Sequence, residues 1–247
     1  MDVQSLIIVA LAFAAGGFLK GVIGAGAPLL AVPLMTVMVD VQFAVAVFAL
    51  GNIVPNLWQV WHFRKAKLAR GFVVRLAVAG GIGAGLGTIL LAALPSQVLV
   101  ACIAAVLVMY VGFRVLNPAW RLPFETGQRL VIPVGLVAGA MQGATGLSAP
   151  VSMTYLSALR LERSQFILAV SGFFIALGVV QIPVQAWFGI MTWERLGLSA
   201  LAQIPLFAAM PVGMFIGQRL PREVFDRLLL VVLAALAVRM VWGVIAG

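Results

Sequence analysis

The feature that most constrains this chain is a pair of matching interruptions. The segment Gly17 to Pro28, GFLKGVIGAGAP, returns 122 positions later as Gly139 to Pro150, GAMQGATGLSAP. Gly17/Gly139, Gly21/Gly143, Gly24/Gly146, Ala27/Ala149 and Pro28/Pro150 coincide, Lys20 stands opposite Gln142, and Gly26 opposite Ser148. Each copy cuts a long apolar run with the residues least suited to a continuous helix, because glycine costs backbone entropy and proline lacks the N–H. At membrane depth such a cut frees backbone groups that protein, water or a ligand must satisfy. Glycine- or proline-broken apolar segments at corresponding places in two halves are the best sequence pointer to a transporter's binding site.

Those runs belong in a bilayer. Hydrophobic residues make up 64% of the chain and charged ones 9%, where soluble proteins carry about 25% charged residues. The stretches 76–113, 130–159, 164–193 and 196–218 hold no charge, and each meets or exceeds the roughly 20 residues that cross a hydrocarbon core as a helix. The fold class is therefore all-α: a polytopic membrane protein with no soluble domain left over, and the lipid bilayer as its first partner. A net charge of +9 would point to nucleic acid in a soluble chain. Here the bases fall in short loops between apolar runs, where they orient a membrane protein, so nucleic acid is not expected as a partner. Cys102 lies inside an apolar run and reads as a packed thiol, with no disulfide, metal site or cofactor implied. Met1-Asp2 lacks the basic start of a signal peptide, so the first apolar segment is expected to be retained.

The echo extends beyond the interruptions. Gly83 and Gly87 reappear as Gly213 and Gly217, and Leu94-Pro95-Ser96-Gln97 as Leu220-Pro221-Arg222-Glu223. The chain divides into a first transmembrane repeat, 1–117, a linker, 118–128, and a second repeat, 129–247, each of about five helical segments with the first broken or re-entrant. In the first repeat a helix from about Leu6 to Val22 breaks over Gly24 to Ala27 and resumes at Pro28, and residues 42–62 read as one span. In the second repeat the later spans are expected at 165–188, 196–218 and 228–246. The bias of basic loops toward the cytoplasm separates two arrangements. If the broken segments cross the membrane, the best orientation leaves nine basic residues inside and five outside. If they turn back, the halves become inverted repeats, thirteen bases lie inside and Arg195 alone lies outside. The second arrangement fits better, and it puts both chain ends outside.

Resumption of the helix at Pro28 and Pro150 creates two helix N-termini inside the protein. Such ends carry roughly half a positive charge and exposed N–H groups, and they bind anions. In an inverted repeat the two would approach a shared site from opposite sides, which predicts a small anionic substrate. Gly21, Gly24, Gly26, Gly143 and Gly146 would let backbone approach it, and Thr145 and Ser148 would offer hydroxyls. The competing use of the glycines is close helix packing, which the spacings Gly17/Gly21, Gly139/Gly143, Gly83/Gly87 and Gly213/Gly217 fit as well. Lys20, one residue before a break glycine, is an ionisable group inside an apolar segment and so a candidate ligand; the alternative is snorkelling to an interface. Gln142, at the matching position, would offer an amide. Asn52, Asn56, Gln59, Gln181 and Gln185 lie within spans, where each either lines a pathway or satisfies neighbouring backbone.

All seven acids fall at expected helix ends or loops, which leaves no buried carboxylate to carry protons. His62 stands alone beside the basic loop Arg64, Lys65, Lys67 and Arg70 and reads as interfacial. Gly146-Leu147-Ser148-Ala149 faintly resembles the Gly-x-Ser-Gly of intramembrane serine proteases, but a nucleophilic serine needs a base in reach, and the one histidine is placed elsewhere. No catalytic residue is assigned, and the chain is not expected to be an enzyme.

The opening Gly-x-x-Gly-x-Gly-x-Pro, the His62-Phe63-Arg64 stretch, the glycine-rich third span ending in Leu94-Pro95, and the return of this pattern in the second half resemble the TauE/SafE family of membrane transporters, also called the toluene sulfonate uptake permease family. The resemblance covers almost the whole chain. It implies a bacterial cell-membrane protein that moves sulfite, sulfonates or other organosulfur acids, often outward. The expected function is secondary transport of such an anion, or of a related carboxylate, by alternating access between the two halves. A passive anion channel is the alternative and an intramembrane hydrolase a remote one. Direction, coupling ion and the choice between monomer and homodimer are left open.

Overall fold

The computed structural model describes residues 3–68, 70–117, 120–217, 219 and 222–246. Its regular structure is helical throughout. The first half holds α1 (Val3–Ile23), α2 (Ala27–Met38), α3 (Val41–Val47), a 3-10 turn (Ala49–Asn52), α4 (Val54–His62), α5 (Arg70–Ala93) and α6 (Ser96–Leu116). The second holds α7 (Phe124–Thr145), α8 (Ala149–Ala158), α9 (Arg163–Trp187), α10 (Trp193–Leu201), α11 (Gln203–Gly217) and α12 (Arg222–Ala246). Five of these stretches are long and apolar enough to cross a bilayer, and a sixth if α3 and α4 count as one. The expected linker, 118–128, overlaps α7, which starts at Phe124. Residues 118 and 119, and Leu220-Pro221 of the repeated Leu-Pro motif, lie outside the described residues, as do Met1, Asp2 and Gly247 at the chain ends.

Local chemistry explains the boundaries. Gly26 takes φ 83 just before α2 and Gly146 φ 73 just after α7, left-handed conformations that glycine adopts without a Cβ penalty. Pro28 and Pro150 stand in the first turns of α2 and α8, where a missing N–H removes no intrahelical bond. Asp40 caps α3 through the Phe43 N–H, and its repeat equivalent Glu162 forms a capping box with Gln165 at the start of α9.

One expected span is not continuous. Residues 42–62 form α3, a 3-10 turn and α4, bent by 46°. Pro55 in the first turn of α4 has no N–H to offer the preceding turn and restricts Val54 before it, while Gly51 weakens the helix ahead of it. The expected span 196–218 is α10 and α11 joined at Ala202, which together make one stretch, Trp193–Gly217, long and apolar enough to cross a bilayer.

Glycine contacts set the directions of the helices. Gly139 lies against Gly80 and Gly143 against Ala84, so α7 runs parallel to α5. Gly172 meets Val73 and Gly81 meets Ala176 and Val180, so α9 also runs parallel to α5. With α7 and α9 pointing the same way, α8 must carry the chain back between them. The Leu122 N–H accordingly donates to the Ala158 carbonyl at 3.0 Å, joining the end of α8 to the approach to α7. In the first half, Gly16 packs on Ala27 and Ala31, so α2 folds back along α1. The halves interlock, with α5 lying along α7 and α11 along α1, where Gly17 meets Leu206, Gly21 meets Met210 and Gly217 meets Val22.

Basic loops gather on one face. Gln165, in the first turn of α9, donates to the Lys67 carbonyl at 2.9 Å, which brings the Arg64–Lys67 loop to the α8–α9 turn with Arg160 and Arg163. Arg195 stands beyond the other end of α9, donating to the Ile190 carbonyl at 2.7 Å. The outward sides of the long helices are apolar, with Leu11, Val78, Leu86, Met109, Val179 and Ile204 all exposed. That surface costs nothing where lipid tails are as apolar as leucine. Trp58, Trp61, Trp187, Trp193 and Trp242 are exposed near helix ends, where interfacial rings sit. His62 is exposed and stacked on Trp58.

A Cβ at Gly87 would overlap the Ala140 carbonyl, whereas one at Gly112 would meet nothing within 4 Å. Gly87→Val is therefore expected to cost upwards of about 3 kcal/mol through overpacking. Gly112→Ala is expected to gain about 0.5–1 kcal/mol of helix stability. Thermal unfolding in detergent, followed by size exclusion, measures both.

Candidate functional site

Polar side chains that lipid would exclude collect at the two breaks. At the first, Lys20 is 3% exposed, and its ammonium donates to Asn56 Oδ1 at 2.8 Å. The Asn56 amide in turn donates to the Asn52 carbonyl at 2.8 Å. Gln59 donates to the Gly24 carbonyl at 2.9 Å and accepts from the Ser171 hydroxyl at 2.9 Å, tying the break to α4 and α9 together. At the second break, Gln142 Oε1 accepts from the Ser148 N–H at 3.0 Å, and the Gln142 carbonyl accepts from the Gln181 amide at 3.3 Å. The breaks share their backbone pattern too: the Gly24 N–H returns to the Lys20 carbonyl and the Gly146 N–H to the Gln142 carbonyl, both at 2.8 Å.

Sequence reasoning named Lys20, Gln142 and Asn52 as candidates, and all three are buried in this seam. The glycines divide by role. Gly21 packs on the Met210 carbonyl of α11 and Gly143 on the Ala84 carbonyl of α5, so at these two positions close helix contact fills the space. Gly24, Gly26 and Gly146 all hold positive φ at the breaks. Gly26 lies beside the Met153 side chain of α8 and Gly146 beside the Val32 side chain of α2, so each break meets a residue from the short helix of the other half. The Thr145 hydroxyl is taken up locally, donating to the Met141 carbonyl at 2.7 Å and accepting from the Leu147 N–H at 3.3 Å. The Ser148 hydroxyl is fully buried and has no hydrogen-bond partner.

Ser171 and the pairing of Gln59 with Gln181 escape the sequence reading. The pairing has one signal, the offset of 122 residues, which relates Gln59 to Gln181 and Asp40 to Glu162; Ser171 has none, since it falls opposite Ala49. Both glutamines reach a carbonyl of their own half's broken segment.

Electrostatics single out Lys20. Removing an ammonium from water costs several kcal/mol even after the protein relaxes. A hydrogen bond to a charged group returns only about 1.5–3 kcal/mol, and Asn56 is neutral. The acids Asp40, Glu125, Glu162 and Glu194 all stand at helix starts, away from this position in the sequence and serving other ends of the helices. The seam thus holds a buried cation whose one hydrogen-bonding partner among the described residues is uncharged.

A cavity of about 600 Å³ lies at the end of α1, lined by Gly21, Val22 and Ile23. Arg114 of α6, Arg160 of the α8–α9 turn and Arg163 of α9 also line it. Arg160 holds φ 52, the one positive value outside glycine among the described residues; such a conformation costs roughly 1–2 kcal/mol. Three guanidinium groups around a low-dielectric opening raise the local concentration of anions.

Residues 8–240 match the family model described as sulfite exporter TauE/SafE. No curated protein and no solved structure matches the chain.

Gln59→Leu would strand both the Gly24 carbonyl and the Ser171 hydroxyl in the interior. A loss of about 1–3 kcal/mol for each group left unpaired is expected. Thermal unfolding of the purified variant measures it, and Ser171→Ala made in the same background should recover part of the loss.

Proposed function

The chain belongs to the sulfite exporter TauE/SafE family, and from that membership we propose that it is a secondary transporter carrying a small anion across a bacterial inner membrane. The cargo is sulfite, an organic sulfonate, another organosulfur acid or a related carboxylate, bound at the seam between the two broken helices. The observation that carries this reading is Lys20, an ammonium buried to 3% exposure and hydrogen-bonded to a neutral amide. An anion beside it supplies the charge that the protein withholds. Asn52 and Asn56 hold the ammonium in place, and the glycine conformations at 24 and 26 keep the backbone low around it.

We read the halves as inverted repeats. The direction of α7 and α9 and the fold-back of α2 on α1 support this, as does the exchange of partners in which α1 takes α11 while α7 takes α5. Alternating access follows if the interlocked helices rock about the seam and open it first to the arginine-lined cavity and then to the Arg195 side. In this reading the face carrying Arg64, Lys65, Lys67, Arg160 and Arg163 is cytoplasmic and both chain ends lie outside.

Three measurements test it. In proteoliposomes, labelled sulfite should show saturable uptake that is accelerated by unlabelled sulfite on the opposite side; currents that rise in proportion to concentration without countertransport would replace the carrier by a channel. Asn56→Asp gives Lys20 an internal counter-charge, so it should preserve or raise thermal stability while lowering sulfite flux by about tenfold or more, the loss expected when a charged site is already paired. Unchanged flux in both Asn56→Asp and Lys20→Met would place the anion elsewhere. Single cysteines replacing Lys65 and Gly189 in a Cys102→Ala background should be labelled by an impermeant thiol reagent from opposite sides of intact cells, Gly189 from outside.

A further inference from the structure

At the Lys20 end of the seam Asn52 Oδ1 is buried without a hydrogen bond, whereas at the other end four side-chain atoms of Ser148, Gln181 and Gln185 are. Ser171, Phe174, Gly178, Gln181 and Gln185 repeat at intervals that put them on one face of α9, and all five are buried. Gln59 and Ser171 satisfy each other at the end of this face nearer the basic loops. One turn beyond Gln181 stands Gln185, fully buried, with neither its amide nitrogen nor its amide oxygen hydrogen-bonded. The Gln181 amide oxygen and the Ser148 hydroxyl, also fully buried, have no partner either. Gln142 links them, since it accepts from the Ser148 N–H through its side chain and from the Gln181 amide through its carbonyl. A protein rarely leaves so many buried polar atoms together, because each unpaired group carries its full desolvation cost.

We propose that Ser148, Gln181 and Gln185 form a second anion station, uncharged, between Lys20 and the face that carries Arg195. The proposal rests on the transporter reading and adds a site to it. The station suits an oxyanion, an acceptor-only group that takes hydrogen bonds from the Ser148 hydroxyl, from the Gln185 amide nitrogen and from the second hydrogen of the Gln181 amide nitrogen, whose first goes to the Gln142 carbonyl. Its place along α9 is a step toward Arg195, which donates to the Ile190 carbonyl, while the Ile190 N–H donates to the Gln185 carbonyl at 2.8 Å. The difference between repeats explains the division of labour: Lys20 at its position holds an anion by charge, and Gln142 at the matching position organises a neutral site that holds it more weakly. A weak site in series with a strong one lets the anion leave, since conduction needs sites that bind well enough to fill and loosely enough to empty.

Gln185→Leu discriminates between an anion station and a structural amide. The substitution keeps the side chain's approximate volume and removes two unpaired polar atoms, so the melting temperature should stay or rise. Ser148→Ala does the same for the hydroxyl. In proteoliposomes loaded with sulfite, methanesulfonate or acetate, both variants should lose about tenfold or more of the wild-type countertransport rate, as expected when a hydrogen-bonding site is removed. Equilibrium binding of the transported anion to the detergent-solubilised variants should stay within about twofold of wild type, because the Lys20 site is separate. Wild-type rates in both variants would overturn the proposal. So would a fall in melting temperature in Gln185→Leu with transport falling only in step with folded protein. If wild-type protein moves none of the three anions, the carrier reading itself has failed; if it moves them undiminished after Lys20→Met, the charged site lies elsewhere, and in either case the station falls.

Discussion

Everything in this molecule depends on how the backbone is satisfied where two helices are cut inside lipid. A carbonyl or N–H left bare there costs several kcal/mol, so the cuts at Gly24–Gly26 and Gly146–Ser148 exist only because other groups reach them. Gln59 takes the Gly24 carbonyl, Gln181 the Gln142 carbonyl, and the Gln142 side chain the Ser148 N–H. Gln142 closes its own break locally, but Gln59 and Gln181 are brought from other helices, so satisfying the breaks draws α4 and α9 to the cut segments. The same requirement concentrates polar atoms along one line through an otherwise apolar interior, which is what a path for a hydrophilic solute needs.

Close packing of glycine makes that line possible. Gly80, Gly83 and Gly87 of α5 interleave with Gly139 and Gly143 of α7, and Gly17 and Gly21 of α1 with Gly213 of α11, backbone against backbone. Without a hydrophobic drive between helices in lipid, such contacts are the main source of association. They also bind each half to the other more closely than to itself, so any motion that exposes the seam must move helices from both halves. Symmetry is kept where backbone is concerned and broken where chemistry is concerned: Gly24 and Gly146 match, while the position that Lys20 holds in one copy is held by Gln142 in the other. The result is one charged end of the seam and one neutral end.

Much of the architecture is legible in the residues. The broken segments, the duplicated order of helices and the gathering of basic loops follow from periodicity, from glycine and proline placement, and from the distribution of lysine and arginine. The bend in residues 42–62 is legible in hindsight, since Pro55 and Gly51 carry it. The split roles of the glycines are not: Gly21 and Gly24 look alike in sequence, yet one meets the backbone of α11 and the other turns the chain with φ 80. Thr145 and Ser148 also look alike, and only the fold commits the first to local bonds while leaving the second unpaired.

What the sequence alone determined is everything that depends on neighbours along the chain: apolar spans, where they are cut, which residues repeat, and that Lys20 lies among apolar residues. Partners from distant segments were decided only by tertiary structure. That Asn56 meets Lys20, that Ser171 meets Gln59 and that the Gln185 side-chain amide finds no hydrogen-bond partner are outcomes of how α1, α4, α7 and α9 pack. The physical reason is that a buried polar group's energy depends on whether a partner stands within about 3 Å, and separations of that size between remote residues are set by helix packing, on which the local pattern of residues is silent.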